Sequence, residues 1–246
     1  MSKKITFFRY VPNAITCLNL FCGCLSVVSS FNGMLETAAY FIFAAAIFDF
    51  LDGFAARWLG AYSAMGKELD SLADVVSFGV APASMMFVLL LTAAERYGLP
   101  VETYSNGWFV AVLAFIMAVF SALRLAKFNI DTRQTESFIG LPTPANALFI
   151  CSMTFSNHRL ALLTGNLFFL LAVTVVFSYL LIAELPLFSL KFKSFEWKHN
   201  KIRYVFMAFS AIILMVLQWA GLAVVILAYI IISVLTHILC NRKVST

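Results

Sequence analysis

Four aspartates lie close together in a strongly apolar part of the sequence. Asp49 and Asp52 are three residues apart, and Asp70 and Asp74 are four apart. On an α-helix either spacing places both side chains on one face. Apolar runs flank the segment on both sides, and carboxylates beside hydrocarbon are costly enough that they mark a functional site by default. The pattern predicts a site built by two neighbouring helices rather than four unrelated surface charges.

The chemistry expected of this site is the binding of divalent cations. If the two helices face each other, the four carboxylates converge on one point, where like charges repel unless protons or cations lie between them. Oxygen ligands select hard cations such as Mg²⁺, Mn²⁺ or Ca²⁺ over zinc. Bound Mg²⁺ usually completes its shell with substrate phosphates. We therefore expect a site for two divalent cations that holds a phosphate-bearing substrate at a membrane face.

Small residues stand at matched positions beside the aspartates. Gly53 and Ala56 continue the face of the first pair, and Gly66 precedes Asp70 by one helical turn. Without a bulky side chain at these positions, a ligand can approach the helix backbone closely.

The elements that position these residues are membrane helices. Of the 246 residues, 62% are hydrophobic and only 12% are charged, against about 25% charged in ordinary soluble domains. The ten-residue alternation of a membrane barrel is absent, so an all-α, polytopic helical bundle is expected. The apolar stretches predict about eight transmembrane helices, near 11–31, 35–58, 68–92, 107–127, 141–156, 160–183, 203–219 and 221–240.

The basic residues predict the orientation of this bundle. With the N-terminus in the cytoplasm, fifteen of the seventeen Lys and Arg residues fall on the cytoplasmic side, and only Arg96 and Arg159 on the other. Both termini are then cytoplasmic, and the four aspartates lie at the cytoplasmic ends of spans two and three. The net charge of +5 suits an anionic lipid surface, and nothing in the sequence indicates nucleic acid. Because Lys3 and Lys4 precede an apolar stretch that continues as the first span, no cleavable signal peptide is expected.

The residues around the aspartates fit one extended pattern, D-x2-D-G-x2-A-R-x8-G-x3-D-x3-D. This pattern resembles the signature of the CDP-alcohol phosphatidyltransferases. The resemblance implies a metal-dependent transferase. Together with the charge distribution, which puts the aspartates on the cytoplasmic side, this predicts an enzyme of the cytoplasmic (inner) membrane with its active site facing the cytoplasm. The resemblance also implies Mg²⁺ or Mn²⁺ as cofactor, Ca²⁺ as an alternative occupant, and a homodimer, because relatives are commonly dimers. The fixed positions are met by Asp49, Asp52, Gly53, Ala56, Arg57, Gly66, Asp70 and Asp74.

The same resemblance implies roles for the residues of the site. Asp49, Asp52 and Asp70 would ligate the cations, while Asp74 would complete the site and act as the general base. Asn13 and Thr16 place two polar side chains on one face of span one, and the resemblance implies that this face borders the nucleotide. A simple helix cap is the alternative for Asn13. The expected CDP-diacylglycerol-binding residues are Asn13, Thr16, Asp52, Gly53, Ala56, Arg57 and Gly66.

Two further segments point to one branch of the family. The sequence R-L-A-K-F-N, from Arg124 to Asn129, and the sequence G-L-P-T-P-A-N-A, from Gly140, resemble those of the phosphatidylserine synthase branch. This implies CDP-diacylglycerol and L-serine as substrates, with Arg124, Lys127 and Asn129 binding the acceptor. The bases could instead anchor the helix by the positive-inside rule or bind lipid phosphate. One domain is expected over 1–246, with a six-helix catalytic core over 1–186 and a cytoplasmic loop plus two helices over 187–246.

Two other functions are compatible with the aspartates. The same chemistry could use glycerol 3-phosphate, inositol phosphate or choline as acceptor, and only the two branch-specific segments argue against this. A cation-coupled transporter would also carry intramembrane carboxylates. Against a transporter, the aspartates cluster at one face and no polar trail crosses the membrane.

Overall fold

The architecture is helical throughout, apart from one minimal strand pair. A computed structural model describes residues 10–131, 138–155, 163–187 and 197–244. A π-helical turn (Val75–Val80) joins the third helix to the fourth, and a 3₁₀ turn (Leu113–Phe115) joins the fifth to the sixth. The helices are α1 (Val11–Phe31), α2 (Leu35–Trp58), α3 (Ala64–Asp74), α4 (Ala81–Arg96), α5 (Asn106–Val112), α6 (Ile116–Ile130), α7 (Thr143–Thr154), α8 (Leu167–Ile182), α9 (Trp197–Leu217) and α10 (Trp219–Val244).

Within the described residues, five segments are long and apolar enough to cross a membrane. They are α1, α2, the continuous stretch 64–96, the stretch 106–130 and Trp219–Thr236 of α10. Two apolar helices are shorter, Leu167–Ile182 and Arg203–Leu217, and α7 has only 12 residues. These helices are those of a membrane protein. The count of eight spans and the cytoplasmic termini stay predictions, and parts of the predicted sixth span and of the loop after 187 lie outside the described residues.

In the part of the chain that the structure describes, a strand pair is the one departure from the expected all-α fold. Strand β1 (Phe138–Ile139) pairs antiparallel with β2 (Pro186–Leu187). Gly140 follows β1 with φ +79°, and a Cβ there would lie 2.7 Å from the carbonyl oxygen of Leu181. The connection before α7 therefore lies directly against the end of α8, at a position where only glycine fits.

The helices that carry the site approach one another unusually closely. A Cβ on Gly23 of α1 would lie 2.8 Å from the Cα of Ser77 in the π-turn, and one on Gly79 would lie 3.0 Å from the Cβ of Ser121 in α6. Small residues at such contacts are typical of membrane helices, where close packing replaces the hydrophobic effect as the source of association. The fully buried core, including Met85, continues along α4.

The π-turn begins directly after Asp74 and has an identifiable cause. Pro82 has no N–H group, so the carbonyl of Phe78 cannot receive the usual helical hydrogen bond. The N–H of Ala81 bonds instead to the carbonyl of Val76, five residues earlier. Such turns are frequent at functional sites, because they rotate the side chains on either side relative to a regular helix.

Candidate active site

Three of the four aspartates form one group. Oxygens from Asp49 in α2 and from Asp70 and Asp74 in α3 all lie within 4.8 Å of one another, and each side chain is half-buried. One carboxylate oxygen of Asp70 is buried and has no hydrogen-bond partner among the described residues. An all-carboxylate donor set with an unpaired buried oxygen fits a hard divalent cation.

Asp52 lies at the border of this group and faces a different way. Its side chain is 6% exposed and accepts a 2.6 Å hydrogen bond from the Thr16 hydroxyl on α1. Side chains three residues apart on an α-helix point about 60° apart around the helix axis. Asp49 and Asp52 therefore share one broad face but point in different directions. Asp52 stays within electrostatic reach of Asp49 and Asp70. The expected convergence of all four carboxylates on one point is therefore met by three of them.

A cavity of about 560 Å³ opens beside Asp52 and Asp70. This volume is typical of pockets for small molecules and cofactors. Six of the seven residues expected to bind CDP-diacylglycerol line it, and only Arg57 does not. The lining consists of Pro12, Asn13, Thr16, Asp52, Gly53, Ala56, Ala61, Tyr62, Ser63, Ala64, Gly66, Lys67 and Asp70.

The two glycines of the cavity serve different purposes. A Cβ on Gly53 would meet nothing within 4 Å, so the backbone of α2 is open to the cavity there. A Cβ on Gly66 would lie 3.0 Å from Oδ1 of Asn13, so Gly66 lets α1 approach the first turn of α3. That turn is capped by Ser63, whose hydroxyl accepts a 2.9 Å bond from the Gly66 N–H.

Asn13 is not a helix cap. Helix α1 begins at Val11 after Tyr10, with no side-chain cap bond, and Asn13 lies within the first turn. Its side chain borders the cavity instead.

Arg57 lies near the cavity without lining it. The side chain is exposed, and its Nε donates a 2.9 Å bond to the carbonyl of Gly53, one turn earlier in α2. The expected contact of Arg57 with a pyrophosphate stays a prediction.

Of the three expected acceptor residues, the structure brings Arg124 towards the aspartates. Arg124 is 8% exposed and lies within electrostatic reach of Asp74. Its guanidinium carbon lies 5.2 Å from the centre of the Phe128 ring. Lys127 is exposed. The Asn129 amide donates a 2.8 Å bond to the Ser71 hydroxyl, so it fastens the end of α6 to α3. Among the described residues the Arg124 guanidinium has no hydrogen bond or ion pair, which leaves it free for an anionic group.

Sequence reasoning missed Asn19. This residue is fully buried on α1, and its Nδ2 donates to Oδ1 of Asp74 at 3.3 Å. The signal was present, because Asn13, Thr16 and Asn19 recur every three residues along one helix face.

The segment after Gly140 also contains buried polar groups. Thr143 and Asn146 are fully buried in α7, and their side-chain polar atoms have no partner among the described residues. Helix α7 packs against α2 and against the π-turn after Asp74. The branch-specific segment therefore lies beside α2, which carries Asp49 and Asp52, and beside the turn that follows Asp74.

Comparison with known proteins decides the family. Residues 9–180 match the profile described as CDP-alcohol phosphatidyltransferase. The chain belongs to this family. The resemblance drawn from the aspartate pattern is confirmed, and enzymes of this family depend on divalent metal ions.

Curated relatives narrow the comparison. The chain is 38% identical over 174 residues to the CDP-diacylglycerol–serine O-phosphatidyltransferase of Bacillus subtilis, covering 70% of this chain and 91% of that one. It is 33% identical over 238 residues to the enzyme of the same name from Mycobacterium leprae, covering 93% and 75%. It is 35% identical over 176 residues to the archaetidylserine synthase of Methanothermobacter thermautotrophicus, covering 71% and 69%.

Proposed function

We propose that the chain transfers the phosphatidyl group of CDP-diacylglycerol to the hydroxyl of L-serine, giving phosphatidylserine and CMP. The observation that carries this proposal is the 38% identity to the Bacillus subtilis serine enzyme over 91% of that enzyme's length. The three-carboxylate group beside a cavity of about 560 Å³ supports it, since an enzyme that acts on a metal-bound nucleotide needs cation ligands next to a nucleotide pocket.

The cavity is proposed to hold the cytidine nucleotide. Gly53 leaves the α2 backbone open, and Thr16 fixes Asp52 at the cavity wall. The diacylglycerol tails would remain in the bilayer beside the apolar faces of the helices, with the nucleotide at the polar end. This division places the reacting phosphorus at the boundary, near the aspartates.

Asp49, Asp70 and Asp74, with Asp52 at the border, would hold the cations. Bound Mg²⁺ or Mn²⁺ would neutralise charge on the pyrophosphate as it develops in the transfer. Two cations are proposed, because four carboxylates surround the site.

The transfer exchanges one phosphorus–oxygen bond for another. The serine hydroxyl oxygen bonds to the phosphorus of the phosphatidyl group, and the bond between that phosphorus and the CMP oxygen breaks. Asp74 accepts the hydroxyl proton as general base. Arg124, buried and within electrostatic reach of Asp74, is proposed to bind the serine carboxylate through two parallel hydrogen bonds. Serine would then lie with its hydroxyl near the base.

The cellular setting is proposed from the same observations. The chain would be a multi-pass protein of the cytoplasmic membrane with its active site facing the cytoplasm, where nucleotides and serine are found. The excess of Lys and Arg on that side supports this orientation. A homodimer is proposed by analogy with relatives.

An acceptor screen tests the proposal. Purified protein is given CDP-diacylglycerol, Mn²⁺ or Mg²⁺, and one alcohol at a time, and CMP release is measured. Release should be fastest with L-serine. A preference for glycerol 3-phosphate, inositol phosphate or choline would overturn the choice of acceptor, and the absence of CMP release with every alcohol would overturn the transferase. The relatives' names favour serine over these acceptors and over a transporter.

A further inference from the structure

One face of α1 connects the helix to both aspartate-bearing helices. Asn13 lies against the first turn of α3, and Thr16 donates to Asp52 of α2 at 2.6 Å. One turn further along, Asn19 donates to Asp74 of α3 at 3.3 Å. Helix α1 therefore contributes a side-chain bond to a carboxylate on each partner helix.

Asn19 is itself held in place from the helix that it contacts. The Ser77 hydroxyl, three residues after Asp74, donates a 3.0 Å bond to the backbone carbonyl of Asn19. One turn beyond, Gly23 lets Ser77 approach so closely that a Cβ would overlap the Ser77 hydroxyl oxygen. These contacts fix the separation of α1 and the π-turn at the level of Asp74. The Asn19 amide consequently has little freedom to move away from the carboxylate.

The direction of the Asn19–Asp74 bond is set by chemistry. An ionised carboxylate only accepts hydrogen bonds, so it is the NH₂ group of Asn19 that faces Asp74. The carbonyl oxygen Oδ1 of Asn19 is buried without a partner among the described residues. A buried amide with an unpaired oxygen is costly, and a polar residue at this depth is retained where it has a function.

We propose that Asn19 is a positioning residue for Asp74. Its amide engages Oδ1 of Asp74 and fixes the rotation of the carboxylate, so that Oδ2 is left for the cation or for the acceptor proton. The inference rests on the proposed function for the role of Asp74 in transfer. The hydrogen-bonded arrangement itself does not depend on which alcohol is the acceptor.

A kinetic experiment gives the first readout. Asn19→Ala and Asn19→Leu remove the donor, and Leu keeps most of the side-chain volume, so a loss shared by both is not a packing effect. Each should lower kcat by about tenfold or more, as expected for loss of a hydrogen bond to a charged group. The KM for CDP-diacylglycerol should stay within about threefold, because the wall of the cavity is untouched. Unchanged kcat in both variants would overturn the inference.

Ser26 supplies the matched control. It is fully buried on α1, and its hydroxyl donates a 2.9 Å bond to the carbonyl of Ala38 in α2, with no connection to an aspartate. Ser26→Ala therefore removes an interhelical hydrogen bond of the same helix without touching Asp74. Its kcat should remain close to that of the unmodified protein. A loss equal to that of the Asn19 variants would assign the Asn19 effect to helix packing.

A binding cycle tests the coupling without turnover. Mn²⁺ affinity is measured from the electron paramagnetic resonance signal of the free ion, using full-length protein in detergent, for Asn19→Ala, Asp74→Asn and the double variant. Asn19→Ala should weaken Mn²⁺ binding by roughly threefold to tenfold when Asp74 is present and cause no further loss with Asp74→Asn. Equal losses in both backgrounds, or no loss in either, would overturn the positioning role. Because the cycle uses no acceptor, its result is independent of whether serine is the substrate.

Discussion

At the scale of single residues, the four aspartates divide between two environments one helical turn apart. Asp49, Asp70 and Asp74 share one group, whereas Asp52 turns towards Thr16 and the cavity. Their chemistry should divide in the same way. We expect Asp52 to connect the nucleotide to the metal. Asp74 accepts a hydrogen bond from Asn19 and lies within electrostatic reach of Arg124.

The first prediction separates Asp74 from Asp52. Asp74→Asn keeps the shape of the side chain and removes its basicity, so turnover should fall by at least a hundredfold while CDP-diacylglycerol still binds. Asp52→Asn should weaken both nucleotide and metal binding, because Asp52 lines the cavity beside the carboxylate group. CMP-release kinetics and nucleotide binding check both variants. Near-normal turnover in Asp74→Asn would remove the general-base assignment.

The second prediction concerns the acceptor. Arg124→Ala should raise the serine KM by about tenfold to a hundredfold, the cost of a lost charged hydrogen bond, with little change in the KM for CDP-diacylglycerol. Arg124→Lys keeps the charge and loses the planar guanidinium, so its serine KM should fall between that of the unmodified protein and that of Arg124→Ala. Steady-state kinetics with each substrate varied separately measures both. If the serine KM stays unchanged in Arg124→Ala, the residue only anchors α6 or binds lipid phosphate.

At the scale of elements, the site depends on how closely α1, α2 and the α3–π-turn segment approach. The Gly23–Ser77 contact requires a missing Cβ, whereas a Cβ on Gly66 would make a tight contact with the Asn13 side chain. The π-turn then presents Ser77 to the Asn19 carbonyl. The carboxylate geometry is therefore a property of three packed helices rather than of the aspartate segment alone.

The third prediction tests this packing with two glycines. Gly23→Ala places a methyl group 2.8 Å from the Ser77 Cα, a backbone atom that cannot rotate away, so overpacking should cost about 1–3 kcal/mol and lower the Tm. Gly53→Ala meets nothing within 4 Å and should keep the Tm while raising the KM for CDP-diacylglycerol. Thermal unfolding in detergent and CMP-release kinetics report the two effects. Equal Tm values for both variants would contradict the close approach.

Periodicity and hydropathy predicted the helices best where one apolar stretch makes one helix. The predicted spans 11–31 and 35–58 coincide with α1 and α2. The π-turn was not predicted, because it depends on how the helix accommodates the missing N–H of Pro82. Helix α7 begins only at Thr143, after Pro142, and is shorter than the predicted 141–156. The strand pair depends on Gly140 meeting the end of α8, a contact between distant residues that no local pattern contains.

In the site too, features that depend on contacts between residues distant in sequence were not predicted. The spacing of the aspartates was enough to place their helices together, and six of the thirteen residues that line the cavity were named as CDP-diacylglycerol-binding from the family resemblance. The separation of Asp52 from the other carboxylates depends on the Thr16 bond from another helix. The hydrogen bond by which Asn129 connects α6 to α3 likewise depends on Ser71, which is distant in sequence.

At the scale of the whole molecule, the five long apolar segments of the described residues belong to a membrane-embedded bundle whose polar site lies towards one end of α2 and α3. The charge distribution predicts that this end faces the cytoplasm. The apolar faces of the bundle can hold the lipid tails while the nucleotide remains in water. A single-sided site of this kind is typical of an enzyme acting on a lipid headgroup rather than of a transporter.

The fourth prediction tests the orientation. Single cysteines are introduced by Glu102→Cys and Lys127→Cys in a background without native cysteines. Glu102 is in the loop between α4 and α5, and Lys127 is near the C-terminal end of α6, on the predicted opposite side of the membrane. A membrane-impermeant thiol reagent added to intact cells should label Glu102→Cys and leave Lys127→Cys unlabelled until the membrane is permeabilised. The reverse pattern would place the aspartates on the external side.

The central claim is a divalent-cation-dependent transfer of a phosphatidyl group to serine, and the most direct measurement follows both partners at once. Purified protein is incubated with CDP-diacylglycerol and labelled L-serine, and label in the extracted lipid is measured together with released CMP. The account predicts that EDTA abolishes both signals, that Mn²⁺ or Mg²⁺ restores them, and that they rise in equal amounts. Undiminished lipid labelling in EDTA, with no metal in the protein, would contradict the carboxylate site. CMP release without label in the lipid would contradict serine as the acceptor.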